Sequence, residues 1–296
     1  MTRLLLIPLP GNEAMAERLG GLLDGELRIP EMRHFPDGET YFRLDDDLHG
    51  RCVALVCTLD HPDAKFLPLL FAARTASDLG AASVGLVAPY LAYMRQDRRF
   101  HPGEALSSKL FASLLSPHID WLVTVDPHLH RIHSLEAIYD LPTRVLHASD
   151  VIAHWIADAV EKPVLIGPDG ESVQWVGEVA RITGAPVVVL HKSRRGDADV
   201  AVSKVDLSPF ADRTPVLVDD IISTGRTMVA TLNELTEAGM KPAVCIGVHG
   251  IFADGAYDEL KAAHPARIVT TNTVPHESNA IDIAPLLARG IKEIAV

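Results

Sequence analysis

The chain has 296 residues, enough for two ordinary domains that together bury about three quarters of the surface they expose when unfolded. Hydrophobic residues make up 48% and charged residues 22%, a composition that excludes disorder and describes an aliphatic globular protein. The net charge of −12 without any dense Lys/Arg run excludes a general nucleic-acid binder, which needs a basic stripe against phosphate.

From the N-terminus, short aliphatic runs alternate with longer amphipathic stretches. The runs are "RLLLIPL", "CVALVCT", "SVGLVAPY", "WLVTVD", "PVLIGPD", "PVVVLH", "TPVLVDD", "AVCIGVHG" and "RIVTTNT". Runs of four to six apolar residues without period-two alternation suit strands buried on both faces, as in a parallel sheet covered by helices. The fold class is α/β. Helices are predicted over Lys65 to Leu79, Leu106 to Leu115, Val151 to Val160, Glu171 to Ile182 and Thr227 to Ala238. Several open on an acidic or hydroxyl residue, and Gly80, Gly184 and Gly239 stand where helices stop.

The opening "MTRLLLIPLPGNEAM" has too short an apolar run for a secretory signal and reads as a first buried strand. The longest uncharged stretch, Leu79 to Met94, falls short of the ~18 residues of a membrane span. Cys52, Cys57 and Cys245 form no CxxC pair, which fits reduced packing thiols in a cytoplasmic protein. A second set of strands restarts near Lys162 after a first set ends near Leu146. The expected boundary falls at about residues 146 to 150, giving domains over 1–147 and 148–296.

The chemistry concentrates in "VLVDDIISTG", Val216 to Gly225. An apolar run feeds Asp219 and Asp220, and a loop of small residues then turns into a helix. Ligands of open α/β sheets bind outside the carboxyl ends of strands, where a helix N-terminus offers unpaired N–H groups and a positive dipole end. Ser223, Thr224 and Thr227 add hydroxyl donors, and Gly225 permits a positive φ. Ionised carboxylates only accept hydrogen bonds, so Asp219 and Asp220 suit sugar hydroxyls or a divalent cation. Phosphate on one side and a diol on the other describe a sugar phosphate; the plainer alternative is a pair of helix-capping aspartates.

Three other segments read as ordinary surface when taken singly. "HFPDGETYFRL" is a turn around Pro36, Asp37 and Gly38 leading into a strand. "PYLAYMRQDRRFHPGEALSSK" gathers Arg95, Arg98 and Arg99 after a buried strand, as a solvated loop does. "LHKSRRGDADVAV" leaves a strand for a polar, basic, mobile segment. "VDPHLHRIH" places His128, His130 and His133 in an HxHxxH pattern that invites a zinc site, and "IGPDGES" places Asp169 at a strand-to-helix turn. There is no GxGxxG and no GxxxxGK[ST], so neither a dinucleotide fingerprint nor a Walker loop supplies a nucleotide site.

"VLVDDIISTG" resembles the phosphoribosyl-pyrophosphate loop of the type I phosphoribosyltransferase fold. With "FPDGE" and "RQD" ahead of it, the chain from about residue 33 to 290 is similar to the ribose-phosphate pyrophosphokinases. The resemblance implies two tandem type I phosphoribosyltransferase-like domains with mainly parallel sheets flanked by helices. It also implies transfer of the β,γ-diphosphoryl group of ATP to the 1-hydroxyl of ribose 5-phosphate, giving phosphoribosyl pyrophosphate and AMP. Phe35, Asp37 and Glu39 match the loop that reaches the adenine of ATP in a neighbouring subunit, and Arg95 and Gln96 match ATP-contacting positions. His128 and Asp169 match the Mg²⁺ site, and Lys192 and Arg194 match the catalytic loop. Asp219, Asp220, Ser223, Thr224, Gly225, Arg226 and Thr227 match the ribose 5-phosphate site. The expected partners are ATP, ribose 5-phosphate and other copies of the chain, with no nucleic acid and no membrane.

The chain has Ser223 and Arg226 where the family often has aspartate and glycine, and the serine form looks like the archaeal-type branch. The alternatives are a phosphoribosyltransferase, which has no use for "FPDGE", and a non-catalytic regulatory homologue.

Overall fold

The computed structural model describes residues 3–45, 47–129, 131–167, 173–190, 192–195, 199–202 and 206–295. By density of contacts the chain forms two units. Unit 1 comprises Met1–His147, Thr273–Pro275 and Ile283–Val296; unit 2 comprises Ala148–Asn272 and His276–Asp282.

Unit 1 runs β1 (Leu5–Pro8), α1 (Glu13–Leu23), β2 (Glu26–Leu27), β3 (Glu31–His34), β4 (Thr40–Arg43), β5 (Cys52–Val56), α2 (Pro62–Asp78), β6 (Ser83–Ala88), α3 (Ser107–Leu115), β7 (Trp121–Val125) and β8 (Thr143–Leu146). Its main sheet has the order β2-β1-β5-β6-β7-β8, and every pairing is parallel. The expected period holds: Leu5, Ile7, Val53, Leu55, Leu86 and Leu122 are fully buried, because helices cover both faces of a parallel sheet and leave no face for polar alternation.

Unit 2 repeats the plan with α4 (Ser149–Ala159), β9 (Pro163–Gly167), α5 (Val173–Thr183), β10 (Val187–Val189), β11 (Lys192–Arg195), β12 (Asp199–Val202), β13 (Thr214–Ile222), α6 (Arg226–Glu237), β14 (Val244–Gly250), α7 (Ala256–Ala262), β15 (Arg267–Thr271) and β16 (Asn279–Ile281). Its sheet order is β10-β9-β13-β14-β15-β16, again all parallel. Val164, Ile166, Leu217, Cys245 and Leu232 form its core. In both units the chain departs from a central strand to one side and returns on the other. In unit 2 this switch point lies between the neighbouring strands β9 and β13, where such sheets hold their ligands.

The last helix, α8 (Ala284–Ile294), returns to unit 1 and packs against α1, β7 and β8. Of the expected second domain over 148–296, Thr273–Pro275 and Ile283–Val296 group with unit 1. The reason is packing: Leu287 and Ile291 are buried, and Leu146 presses so close to Gly290 that a Cβ there would meet its Cδ1 at 2.8 Å.

Helix ends follow half of the expected chemistry. Gly80, Gly184 and Gly239 adopt left-handed φ values of 87°, 66° and 73° and stop their helices as predicted. At the starts, α3 and α4 open on Ser107 and Ser149, but the N-cap residues of α2, α3, α4 and α6 (His61, Leu106, Ala148 and Gly225) make no side-chain capping bond. The segment expected to be a basic loop forms the antiparallel pair β11–β12. Among the described residues no helix is long and apolar enough to cross a membrane.

One strand position sets a stability test. Gly85 on β6 faces Trp121 on β7, and a Cβ on Gly85 would fall 1.9 Å from the indole. Trp121 is buried and its Nε1–H donates to Ser83 Oγ at 3.2 Å, so the ring has little room to yield. Gly85→Ala is expected to destabilise the protein by about 2 kcal/mol through overpacking, seen as a lower urea midpoint with an unchanged slope.

Candidate functional site

In unit 2 the site grows from β13. Four buried residues, Pro215 to Val218, hold the strand between β9 and β14, and Asp219 and Asp220 emerge half-buried at its carboxyl end. Asp219 Oδ1 accepts the Asp220 N–H at 3.0 Å, and Asp220 Oδ1 accepts the Ile221 N–H at 2.8 Å. Each carboxylate is thus oriented by the backbone of the residue after it.

Ser223, Thr224 and Gly225 turn the chain into α6. Gly225 takes φ 67° as the N-cap residue and offers no side chain to cap the helix. The first-turn N–H groups of a helix lack intrahelical acceptors, which makes this end receptive to an anion. Arg226 and Thr224 are exposed, while Thr227 is half-buried. Met228, Thr231, Leu232 and Leu235 fix α6 to the sheet. The described backbone thus presents donors and acceptors at one strand end: the N-terminus of α6 together with the two oriented carboxylates.

Lys192 and Arg194 stand two residues apart on β11, opposite Val202 and Val200 of β12. Asp169 and His130 lie outside the described residues.

In unit 1, β3 and β4 form an antiparallel hairpin with His34 opposite Thr40, and "FPDGE" is its tip. Phe35 N–H donates to Glu39 O at 2.8 Å, Gly38 N–H to Phe35 O at 2.9 Å, and Glu39 N–H to Asp37 Oδ1 at 3.2 Å. Gly38 has φ 92°, a value only glycine takes without strain. The Arg33 guanidinium lies over the Phe35 and Tyr41 rings at 4.8 and 4.3 Å. The tip is exposed and rigid on its own bonds, with Phe35, Asp37 and Glu39 all at the surface.

The loop after β6 carries Arg95, exposed, and Gln96, half-buried. Gln96 Oε1 accepts the Ser107 hydroxyl at 2.9 Å, which ties it to the start of α3. Arg98 lies over Phe100 at 4.7 Å, and Arg99 Nε donates to Glu104 O at 2.9 Å. Glu104 Oε2 in turn accepts the Phe100 N–H at 2.6 Å, so these two arginines and Glu104 close the loop on itself.

After β7 the chain turns at Asp126, φ 34°. Its carboxylate is 4% exposed and 2.8 Å from His147 Nδ1. His128 is half-buried two residues further on, and His133 is exposed. Among the described residues no three His, Cys, Asp or Glu side chains converge as a metal cluster.

Sequence reasoning missed two pairs that shape this end of unit 1. One is Asp126 with His147. The other is Asp97, whose side chain is 4% exposed and accepts both the Arg131 main-chain N–H at 3.1 Å and its guanidinium at 3.0 Å. That pair joins the loop bearing Arg95 to the segment bearing His128. The partners are 21 and 34 residues apart, and no local pattern marks them; the only signal was an acid directly after a strand or inside an arginine-rich loop.

Two doubly wound parallel sheets, one carrying an acid pair and a glycine turn at its switch point, define a two-domain protein of the phosphoribosyltransferase type. Residues 4–118 match the N-terminal domain of ribose phosphate pyrophosphokinase, and residues 134–285 match the phosphoribosyl transferase domain. The chain is 33% identical to the ribose-phosphate pyrophosphokinase of Methanothermobacter thermautotrophicus, over 98% of this chain and all of that one. It is 31% identical to that of Methanobrevibacter smithii, over 95% of this chain and 98% of the other. The crystal structure of phosphoribosylpyrophosphate synthetase from Mycobacterium smegmatis superposes with a TM-score of 0.85 at 26% identity, over 99% of both chains. The chain belongs to the ribose-phosphate pyrophosphokinase family.

Proposed function

We propose that the protein transfers the β,γ-diphosphoryl group of ATP to the 1-hydroxyl of ribose 5-phosphate. The observation that carries this reading is the strand end of β13, where two backbone-oriented carboxylates precede a helix N-terminus entered through Gly225 at the switch point of unit 2. The 5-phosphate binds the N–H groups and hydroxyls of Ser223, Thr224, Gly225 and Thr227, with Arg226 beside it. Asp219 and Asp220 accept the ribose hydroxyls, directly or through a cation, which turns the 1-hydroxyl toward the donor.

Arg95 and Gln96 contact ATP. Phe35, Asp37 and Glu39 serve the adenine of a neighbouring copy, a role suited to an exposed hairpin tip stiffened by its own bonds. The 1-hydroxyl oxygen forms a bond to the β-phosphorus as the bond from that phosphorus to AMP breaks in line, and the hydroxyl proton is released. Lys192 and Arg194 stabilise the charge gathering on the transferred group.

Mg²⁺ takes one or two carboxylates, a donor that Asp169 supplies, and completes its shell with phosphate oxygens and water. His128 and Asp169 would hold it, His128 in a segment pinned by the Asp97–Arg131 bonds. When bound, the cation screens the triphosphate charge.

Phosphorus NMR of the purified chain with Mg²⁺, ATP and ribose 5-phosphate tests the reading against a sugar-free control. Sugar-dependent conversion of ATP to AMP with a new diphosphate-bearing sugar is expected. Bound ribose 5-phosphate with an unchanged spectrum would instead favour the regulatory homologue.

A homo-oligomer follows from the shared adenine site. Leu67 and Phe71 on α2 and Leu110 and Leu114 on α3 are 39–56% exposed, each pair one helical turn apart, an apolar surface of the kind subunits bury. Leu110→Asp with Leu114→Asp is expected to reduce the mass seen by light scattering and to lower turnover with it. A cytoplasmic setting suits the thiols: burial pushes Cys57 and Cys245 up to about 12, and all three cysteines are free.

A further inference from the structure

The turn after β14 carries backbone strain at a residue, Phe252, that also packs against the core of unit 2. Phe252 and Asp254 have φ values of 46° and 55°, and Gly255 has 81°. A bulky residue in the left-handed region is an outlier that persists only where its surroundings over-determine it, and such outliers gather at functional sites.

What this turn holds is the sugar-phosphate loop. The N–H groups of Ile251 and Phe252 both donate to Ile222 O at 3.0 Å, and the Ala253 N–H donates to Ser223 O at 3.1 Å. Ala256, the first residue of α7, lies against Gly225, where a Cβ would stand 3.6 Å from the Ala256 Cβ. Three hydrogen bonds and the close approach of Ala256 therefore link the strained turn to the residues that open and close the loop.

The turn is itself braced by a ring stack. The Phe252 ring occupies the space over Gly250, where a Cβ would come within 2.7 Å of Cε2. It lies 4.4 Å from the His276 ring at 36° and 5.0 Å from Tyr257 at 65°, while Tyr257 and His276 meet edge-on at 4.6 Å. His276 is held in turn: its Nδ1 accepts the Ser278 N–H at 3.2 Å, and its main-chain N–H donates to Asn279 Oδ1 at 2.9 Å. Asn279 Nδ2 donates to Thr270 Oγ1 and Thr271 O, both at 2.8 Å. The stack is thereby bolted to β15 and β16. Burial pushes the His276 imidazole below its ordinary value, with Lys261 acting in the same direction and Glu277 against it. The ring is accordingly a neutral aromatic surface near pH 7.

We propose that Phe252, backed by Tyr257 and His276, is a positioning residue for ribose 5-phosphate, holding Ile222–Gly225 in the conformation that receives the 5-phosphate before the sugar arrives. The proposal rests on the sugar-phosphate reading of that loop. Preorganisation removes an ordering cost from binding, so loosening the turn should weaken the sugar and leave the nucleotide alone.

The test is calorimetric titration of ribose 5-phosphate into the full chain with Mg²⁺ and a non-hydrolysable ATP analogue, beside steady-state kinetics for both substrates. Phe252→Ala is expected to weaken sugar binding about tenfold, with the KM for ATP within about twofold of the original, as loss of loop preorganisation requires. Phe252→Tyr, which keeps the ring over Gly250, is expected to restore it. Tyr257→Leu leaves Phe252 in place and is expected to weaken the sugar about threefold by the same route, so a poorly folding Phe252→Ala does not remove the comparison. An unchanged sugar affinity in these variants, or KM values for both substrates rising together, would overturn the proposal. No sugar binding by the unsubstituted chain would instead overturn the functional reading, and this proposal with it.

Discussion

Lys192→Ala is expected to lower turnover on the order of 10²-fold or more while sugar affinity stays within about twofold. Phosphoryl transfer leaves little covalent work for the protein, so its catalysis is positioning plus charge stabilisation, and a cation on the transferred group acts mainly in the transition state. A hundredfold loss corresponds to about 2.7 kcal/mol of transition-state stabilisation. Single-turnover formation of AMP measures the first quantity and calorimetry with ribose 5-phosphate the second. Turnover equal to the original would remove Lys192 from the reaction, and a parallel loss of sugar affinity would make it a binding residue. Its place on a two-stranded hairpin with Arg194 two residues away makes Arg194→Ala the natural companion, with the same expected split.

The second large effect is expected at the acid pair. Asp219→Asn combined with Asp220→Asn should raise the KM for ribose 5-phosphate about 10²-fold or more, since hydrogen bonds to charged groups contribute about 1.5–3 kcal/mol each. Asparagine keeps an Oδ1 atom, so the Asp220 and Ile221 N–H groups retain their acceptors and the strand end stays in place. What changes is charge and accepting capacity: an amide offers a donor where a sugar hydroxyl needs an acceptor. Thermal unfolding close to that of the original protein, together with lost sugar affinity, is the expected pair of results. Lost stability with unchanged sugar affinity would return the aspartates to a purely structural role.

Both predictions depend on features of very different legibility. The aspartates and the glycine turn could be read directly, because a strand that ends in acids and then in Ser-Thr-Gly before a helix is a local pattern, and the switch-point rule says where such a turn lies. The strands themselves were legible for the same reason: "CVALVCT" and "PVLIGPD" are continuous apolar runs, and only a doubly covered parallel sheet buries them. The capping of helices was not legible, since α2 and α4 start without a side-chain cap at His61 and Ala148. The strained turn at Phe252 gave no composition signal at all, because a phenylalanine at positive φ looks in sequence like any phenylalanine.

The sequence alone determined the α/β class, because continuous apolar runs are a local feature, and its resemblance in "FPDGE", "RQD" and "VLVDDIISTG" pointed to the family, because each motif is contiguous in the chain. Only the tertiary structure decided that α8 belongs with unit 1, that Asp97 reaches Arg131 and Asp126 reaches His147, and that a ring stack at Phe252 braces the loop. Those facts are pairings between residues far apart in the chain, and the free energy that selects them comes from burial and from hydrogen bonds that exist only once the sheets have assembled.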